Sequence, residues 1–251
     1  MAFGRRCGDG NWRKPALNLA AISIALTCRA AAADDTQKAA CATYDWAGVG
    51  WNRDADATLS KRPDNQRVVF MGDSITQKWS VTPFISSNPH YVGRGLGGQT
   101  ASQMLVRFRS DVVNVAPAVV HIMAGTNDVA RNNGPETASE IAGYIISMVE
   151  LAKANHIRVV LALTPPASTF PWRAAVKPQP EIAQVNQLVR SYAIQHHVTV
   201  VDYGQVLGNG VGGVKPGLTL DGVHPSPAGY AAMQPLAEKA IASALKEPLS
   251  R

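Results

Sequence analysis

RVVFMGDSIT, residues Arg67 to Thr76, opens with an apolar run and then breaks sharply into Gly72, Asp73 and Ser74. A run of Val, Phe and Met with no polar alternation reads as a strand buried on both faces, the pattern of a parallel sheet covered by helices. Four further runs have the same character: His90 to Val92, Ala118 to Met123, Ile157 to Leu163 and Val198 to Val201. Apolar positions three and four residues apart predict helices over Gln99 to Val113 and Glu136 to Asn155, and less cleanly over Glu181 to His196. A last helix is expected from Pro227 to about Lys246, with Ser226 as its N-cap and Pro235 as a place for a kink. Strand and helix in alternation predict an α/β fold, a three-layer α/β/α sandwich around a five-stranded parallel sheet. In such sheets ligands bind beyond the carboxyl ends of the strands, so the residues just after each run are the ones to inspect.

The N-terminus reads differently. Arg5, Arg6, Arg13 and Lys14 precede an apolar run from Ala16 to Leu26 and small residues up to Ala33, the arrangement of an export signal cleaved before Asp34. The run is shorter than the roughly 20 residues a membrane span needs. The expected division is a signal peptide over 1–33, an N-terminal extension packed on the domain over 34–66, and the main domain over 67–251, giving a secreted or periplasmic protein. Residues 1–33 hold five of the 24 Lys and Arg and one of the 18 Asp and Glu. The mature chain is therefore close to neutral, and the net charge of +6 does not point to nucleic acid. Of Cys7, Cys28 and Cys41 only the last remains after cleavage, so no internal disulfide is expected.

Four short motifs carry the chemistry, each with an ordinary alternative. Gly72, Asp73 and Ser74 at the end of the first strand expose a serine hydroxyl at the sheet edge, or simply cap the next helix. Asp221 lies three residues before His224, close enough in a turn to hold one imidazole nitrogen and leave the other as a base, and Pro225 keeps His224 out of helix. Asn127, in the run Gly125 to Asp128 after the third strand, can donate to a developing oxyanion or serve only as turn chemistry. Gly93, Gly95 and Gly98 match the G-x-G-x-x-G spacing of a dinucleotide turn, but the acidic residue that fingerprint wants after the next strand is missing. The other use of those glycines is to bring the Gly98 N–H close to a reacting carbonyl. Together the motifs offer nucleophile, base, carboxylate and oxyanion donors on one edge.

In this order, and with the flanking Val-Phe-Met-Gly and His-Pro-Ser-Pro-Ala-Gly-Tyr contexts, the sequence resembles the SGNH (GDSL-type) hydrolases, and among them bacterial esterases similar to platelet-activating-factor acetylhydrolase catalytic subunits. The likeness runs from about Val68 to the last helix. It implies a flavodoxin-like sheet and a serine esterase in which Ser74, Gly98, Asn127 and His224 fill the family's four named positions, with Asp221 completing the triad. No cofactor or metal is implied, and the partner is a small-molecule or carbohydrate acyl ester rather than nucleic acid or a membrane interior. The expected reaction is a two-step acyl transfer through a Ser74 acyl-enzyme. His224 must be neutral to act as base, so activity should rise from acid to neutral pH.

Substrate is read less directly. The Pro-rich segment Thr164 to Pro180 is long for a loop and is expected to form a wall of the site. Phe170, Trp172 and Arg173 within it could line the leaving-group side, or could pin the loop through apolar anchors. With no long apolar lid, short acyl groups such as acetyl are favoured over the chains of a lipase, lysophospholipase or thioesterase. A nucleotide-binding protein or a non-catalytic carbohydrate-binding domain is the remote alternative. No serine sits in a G-x-S-x-G frame and no H-E-x-x-H occurs. His121 falls inside the third strand and reads as a core or near-site residue; His196 and His197 read as surface residues.

Overall fold

The computed structural model describes residues 45–59 and 64–248, so the expected signal peptide over 1–33, Cys41, and residues 34–44 and 60–63 of the expected extension lie outside the described residues. The chain divides into a unit of residues 1–46 and a unit of residues 47–251, and the second carries the sheet and its helices. In chain order its elements are α1 (Arg53–Thr58), β1 (Val68–Gly72), α2 (Ser74–Ser80), α3 (Pro83–Ser86), β2 (Tyr91–Gly95), α4 (Ala101–Phe108), β3 (Val119–Met123), α5 (Thr126–Val129), α6 (Ala138–Ala154), β4 (Arg158–Ala162), α7 (Glu181–Gln195), β5 (Thr199–Val201), α8 (Gly204–Leu207) and α9 (Pro227–Ala244). The five strands are all parallel, in the order β2-β1-β3-β4-β5. This is the doubly wound, flavodoxin-like arrangement, and its direction reverses between β1 and β3, the position at whose carboxyl edge sheets of this kind bind ligands.

Burial explains the apolar runs. Every residue of β1 and of β3 is buried, because α4, α6 and α7 cover one face of the sheet and α2 and α9 the other. Helix starts follow local chemistry. Thr137 and Glu140 cap α6 reciprocally, and the Ser226 hydroxyl accepts the Gly229 N–H at 3.2 Å beneath α9. The last helix continues through Pro235 to Ala244.

Two elements depart from expectation. The second strand extends from Tyr91 to Gly95, so Gly93 and Gly95 lie within it and not after it. Packing overrides glycine's weak strand preference here: a Cβ on Gly95 would stand 2.0 Å from the Gln77 backbone nitrogen, and only glycine lets α2 lie so close. The helix expected to run on to Val113 gives way after Phe108 to a π turn over Arg109–Val113. That turn buries Asp111 beneath Arg107, an ion pair the apolar spacing does not reveal.

Candidate active site

β1 delivers the serine. Asp73 is the N-cap of α2, its Oδ1 accepting the Ile75 N–H at 2.9 Å, and Ser74 is the first helical residue. The cap of this motif is thus Asp73, and the adjacent Ser74 is half-buried at the carboxyl edge of the sheet. The turn is fixed from the far side by Tyr230 of α9, whose hydroxyl donates to the Ile75 carbonyl at 2.8 Å.

The loop before α9 delivers the imidazole. Asp221 Oδ1 accepts the N–H groups of Val223 at 3.0 Å and His224 at 2.8 Å, which folds the loop so that Oδ2 lies 2.7 Å from His224 Nδ1. The His224 carbonyl in turn accepts from the Leu220 N–H and the Thr219 hydroxyl. His224 Nε2 stands 2.9 Å from Ser74 Oγ, although the two residues are 150 positions apart. A carboxylate on Nδ1 assigns the ring hydrogen there and leaves the Nε2 lone pair facing the hydroxyl. Burial pushes the Asp221 carboxyl up, but the hydrogen bonds from the His224 backbone and ring and from Val223 outweigh it and hold the group below the usual carboxylate range.

The opposite wall is polar. Gly98 takes φ +77°, a conformation that favours glycine, and neither its N–H nor that of Ser74 has a hydrogen-bond partner among the described residues. Asn127, in the short helix α5 that follows β3, is buried beside them. Its amide donates to Asp73 Oδ2 at 3.2 Å and to the Gln99 carbonyl at 3.0 Å, so both of its hydrogens are engaged. Asp73 is fully enclosed, and burial, opposed in part by the Ile75 N–H, pushes its carboxyl up to about 6.

Asn132 is a residue the sequence did not single out. Its side-chain nitrogen donates to the Gly98 carbonyl at 3.1 Å and to Asn127 Oδ1 at 2.8 Å, while its oxygen accepts from Trp172 Nε1 at 3.1 Å. Nothing in the run Arg131 to Gly134 marks it, since such residues read as a turn. Within the long loop, Phe170 is buried and anchors the chain, whereas Trp172 is 40% exposed with its ring 6.0 Å from that of His224. The anchoring and the site-facing alternatives therefore apply to different residues of the same loop. Arg173 is exposed. Among the described residues no group of three or more His, Cys, Asp or Glu is placed to hold a metal ion, and no helix is long and apolar enough to cross a membrane.

Comparison with known proteins points the same way. Residues 70–232 match the profile of the GDSL-like lipase/acylhydrolase family. Among solved structures, a Bacteroides fragilis protein named as an acylhydrolase is 45% identical with a TM-score of 0.77, over 81% of this chain and all of that one. A GDSL-like lipase from Bacteroides thetaiotaomicron is 41% identical with a TM-score of 0.76, over 80% of this chain and all of that one. An acetyl xylan esterase, AlAXEase, shares the fold at 22% identity and a TM-score of 0.58, over 69% of this chain and 98% of that one. None of the curated proteins compared matches the chain.

Proposed function

The chain belongs to the GDSL-like lipase/acylhydrolase family and is a carboxylic ester hydrolase, and we propose that it cleaves short-chain, chiefly acetyl, esters through Ser74, His224 and Asp221. The observation that carries this reading is the unbroken chain of contacts from Ser74 Oγ to His224 Nε2 at 2.9 Å and from His224 Nδ1 to Asp221 at 2.7 Å. His224 takes the Ser74 proton as the oxygen attacks the ester carbonyl, then returns it to the departing alcohol. Water repeats the sequence on the acyl-enzyme. Negative charge on the carbonyl oxygen is met by the N–H groups of Ser74 and Gly98. Asn127 joins them when its amide exchanges the longer bond, that to Asp73, for the oxyanion.

The direction of proton transfer orients the substrate. The alcohol must leave on the His224 side, which is where the exposed ring of Trp172 stands, so Trp172 receives the leaving group and a flat sugar or aryl ring suits it. The carbonyl oxygen then faces Gly98 and Asn127, and the small and polar residues around it, Gly97 and Asn132 among them, suit acetyl better than a long apolar chain. The fold shared with an acetyl xylan esterase is in keeping with acetylated carbohydrate. Export behind Ala33 is part of the same proposal.

A series of p-nitrophenyl esters of increasing acyl length, run beside acetylated xylan, tests the substrate. Highest kcat/KM on acetyl is expected; a preference for chains of eight or more carbons would overturn the short-chain reading in favour of a lipase, lysophospholipase or thioesterase. Sequencing the N-terminus of protein recovered outside the cytoplasm tests export, and a chain still beginning at Met1 counts against it.

A further inference from the structure

Arg107 is fully buried in α4, a position in which an isolated guanidinium would be strongly unfavourable. It is held by three acceptors from three segments. Its Nε donates to Gln99 Oε1 at 2.5 Å, its Nη1 to Asp111 Oδ2 at 2.5 Å, and its Nη2 to the Gly72 carbonyl at 2.9 Å. Two of these acceptors border the site directly. Gly72 stands two residues before Ser74, and its carbonyl also accepts the Leu96 N–H at 3.1 Å, joining β1 to the continuation of β2. Gln99 follows Gly98, and its own carbonyl accepts the Asn127 amide.

A second set of bonds closes this cluster from the segment before β1. Gln99 Nε2 donates to the Ala47 carbonyl at 2.7 Å, Asn52 Nδ2 donates to Asp111 Oδ2 at 3.0 Å, and Asp56 pairs with Arg94 of β2. A packed apolar side chain could fill the place of Arg107 without the desolvation cost. What it could not do is hold the carbonyl before the nucleophile and the residue after Gly98 in one rigid frame.

Resting on the esterase reading, we infer that Arg107 is a positioning residue that sets the Ser74 and Gly98 N–H groups and the Asn127 amide in register, and that Ala47 to Thr58 is the strap that closes its cluster. Such a residue acts on the barrier rather than on substrate affinity, because the oxyanion forms only during reaction. A displacement of about 1 Å in groups of this kind costs roughly 100-fold in rate.

The test is made on the full chain with p-nitrophenyl acetate and with a fluorophosphonate that labels Ser74. Arg107→Met should lower kcat about 100-fold and slow labelling in parallel, with KM and the acid-to-neutral pH profile unchanged, since the Ser74–His224–Asp221 contacts come from other bonds. Arg107→Lys, which can still reach the Gly72 carbonyl, should recover part of that loss. Gln99→Leu, which keeps the Arg107–Asp111 pair, should lower kcat about tenfold at constant KM, and it decides the matter if Arg107→Met does not fold. Folded Arg107→Met with wild-type kcat overturns the inference, as does Gln99→Leu with wild-type kcat. A wild-type protein that neither hydrolyses the ester nor takes the label removes the esterase reading instead, and this inference with it.

Discussion

His224 sits on a loop beyond the sheet with a carboxylate on one ring nitrogen and a hydroxyl on the other, whereas His121 sits within β3 with the Tyr203 phenol on Nε2 at 2.8 Å and, among the described residues, no hydrogen-bond partner on Nδ1. The surroundings differ as much as the partners. His121 is packed among Phe70, Trp79 and Tyr203, and burial pushes it down to about 4, so it stays neutral at physiological pH and has no anion to steady a gained proton. His224 has the anion, and it has a hydroxyl to take a proton from. The same side chain is thus a packing element in the middle of a strand and, in the proposed mechanism, a proton carrier past the sheet edge, where loops from distant strands bring Asp221 and Ser74 to it.

Mutation can test whether the two histidines divide the work in this way. The largest effect belongs to Ser74→Ala, which should lower kcat about 10⁶-fold in a steady-state ester assay, leaving only what the oxyanion donors supply. Asp221→Asn keeps the loop's shape but favours the wrong imidazole tautomer, and about a 10⁴-fold fall in kcat is expected, measured the same way. For Asn127→Ala the expected loss is about 100- to 1000-fold in kcat. If Asn127 is instead only a strut between Asp73 and Gln99, thermal stability will fall while kcat stays near wild type. Trp172→Ala should raise KM about tenfold for esters of flat alcohols and leave small alkyl acetates little changed, a difference read from paired substrates.

His121→Phe carries the smallest catalytic effect, with kcat unchanged, and shows itself in stability. Losing the partner of the Tyr203 hydroxyl should cost about 1–3 kcal/mol in denaturant unfolding. The pH dependence has a definite sign. The folded state holds His121 near 4 and its ordinary value is 6.5, so the unfolded chain binds more protons between those values. The contribution of His121 is therefore fully present above 6.5 and is lost as pH falls toward 4. His121→Phe should flatten the stability profile across that window.

The four motifs were legible in the sequence because each is contiguous and each lies beside a strand or helix whose pattern is plain. Their alternatives were equally visible, and Asp73 shows why both could be true: the cap and the candidate nucleophile occupy neighbouring residues. Less was legible where a residue's meaning depends on partners far along the chain. Gly95 reads as turn chemistry until α2 is seen against it. Arg107 reads as the polar face of an amphipathic helix, since its acceptor at Gly72 lies 35 residues away and the Asn52 that backs its partner Asp111 lies 59 residues from that carboxylate. Asn132 has no local signature, because its work is to join Gly98, Asn127 and Trp172 from three separate segments.

The sharpest experiment is to acid-quench the protein during turnover of p-nitrophenyl acetate and map the acetyl group by peptide mass spectrometry. The account predicts an acetyl on the peptide bearing Ser74 in wild type, more of it in Asp221→Asn if deacylation slows further than acylation, and none in Ser74→Ala. An acetyl carried on another residue, or undiminished turnover by Ser74→Ala, would contradict it.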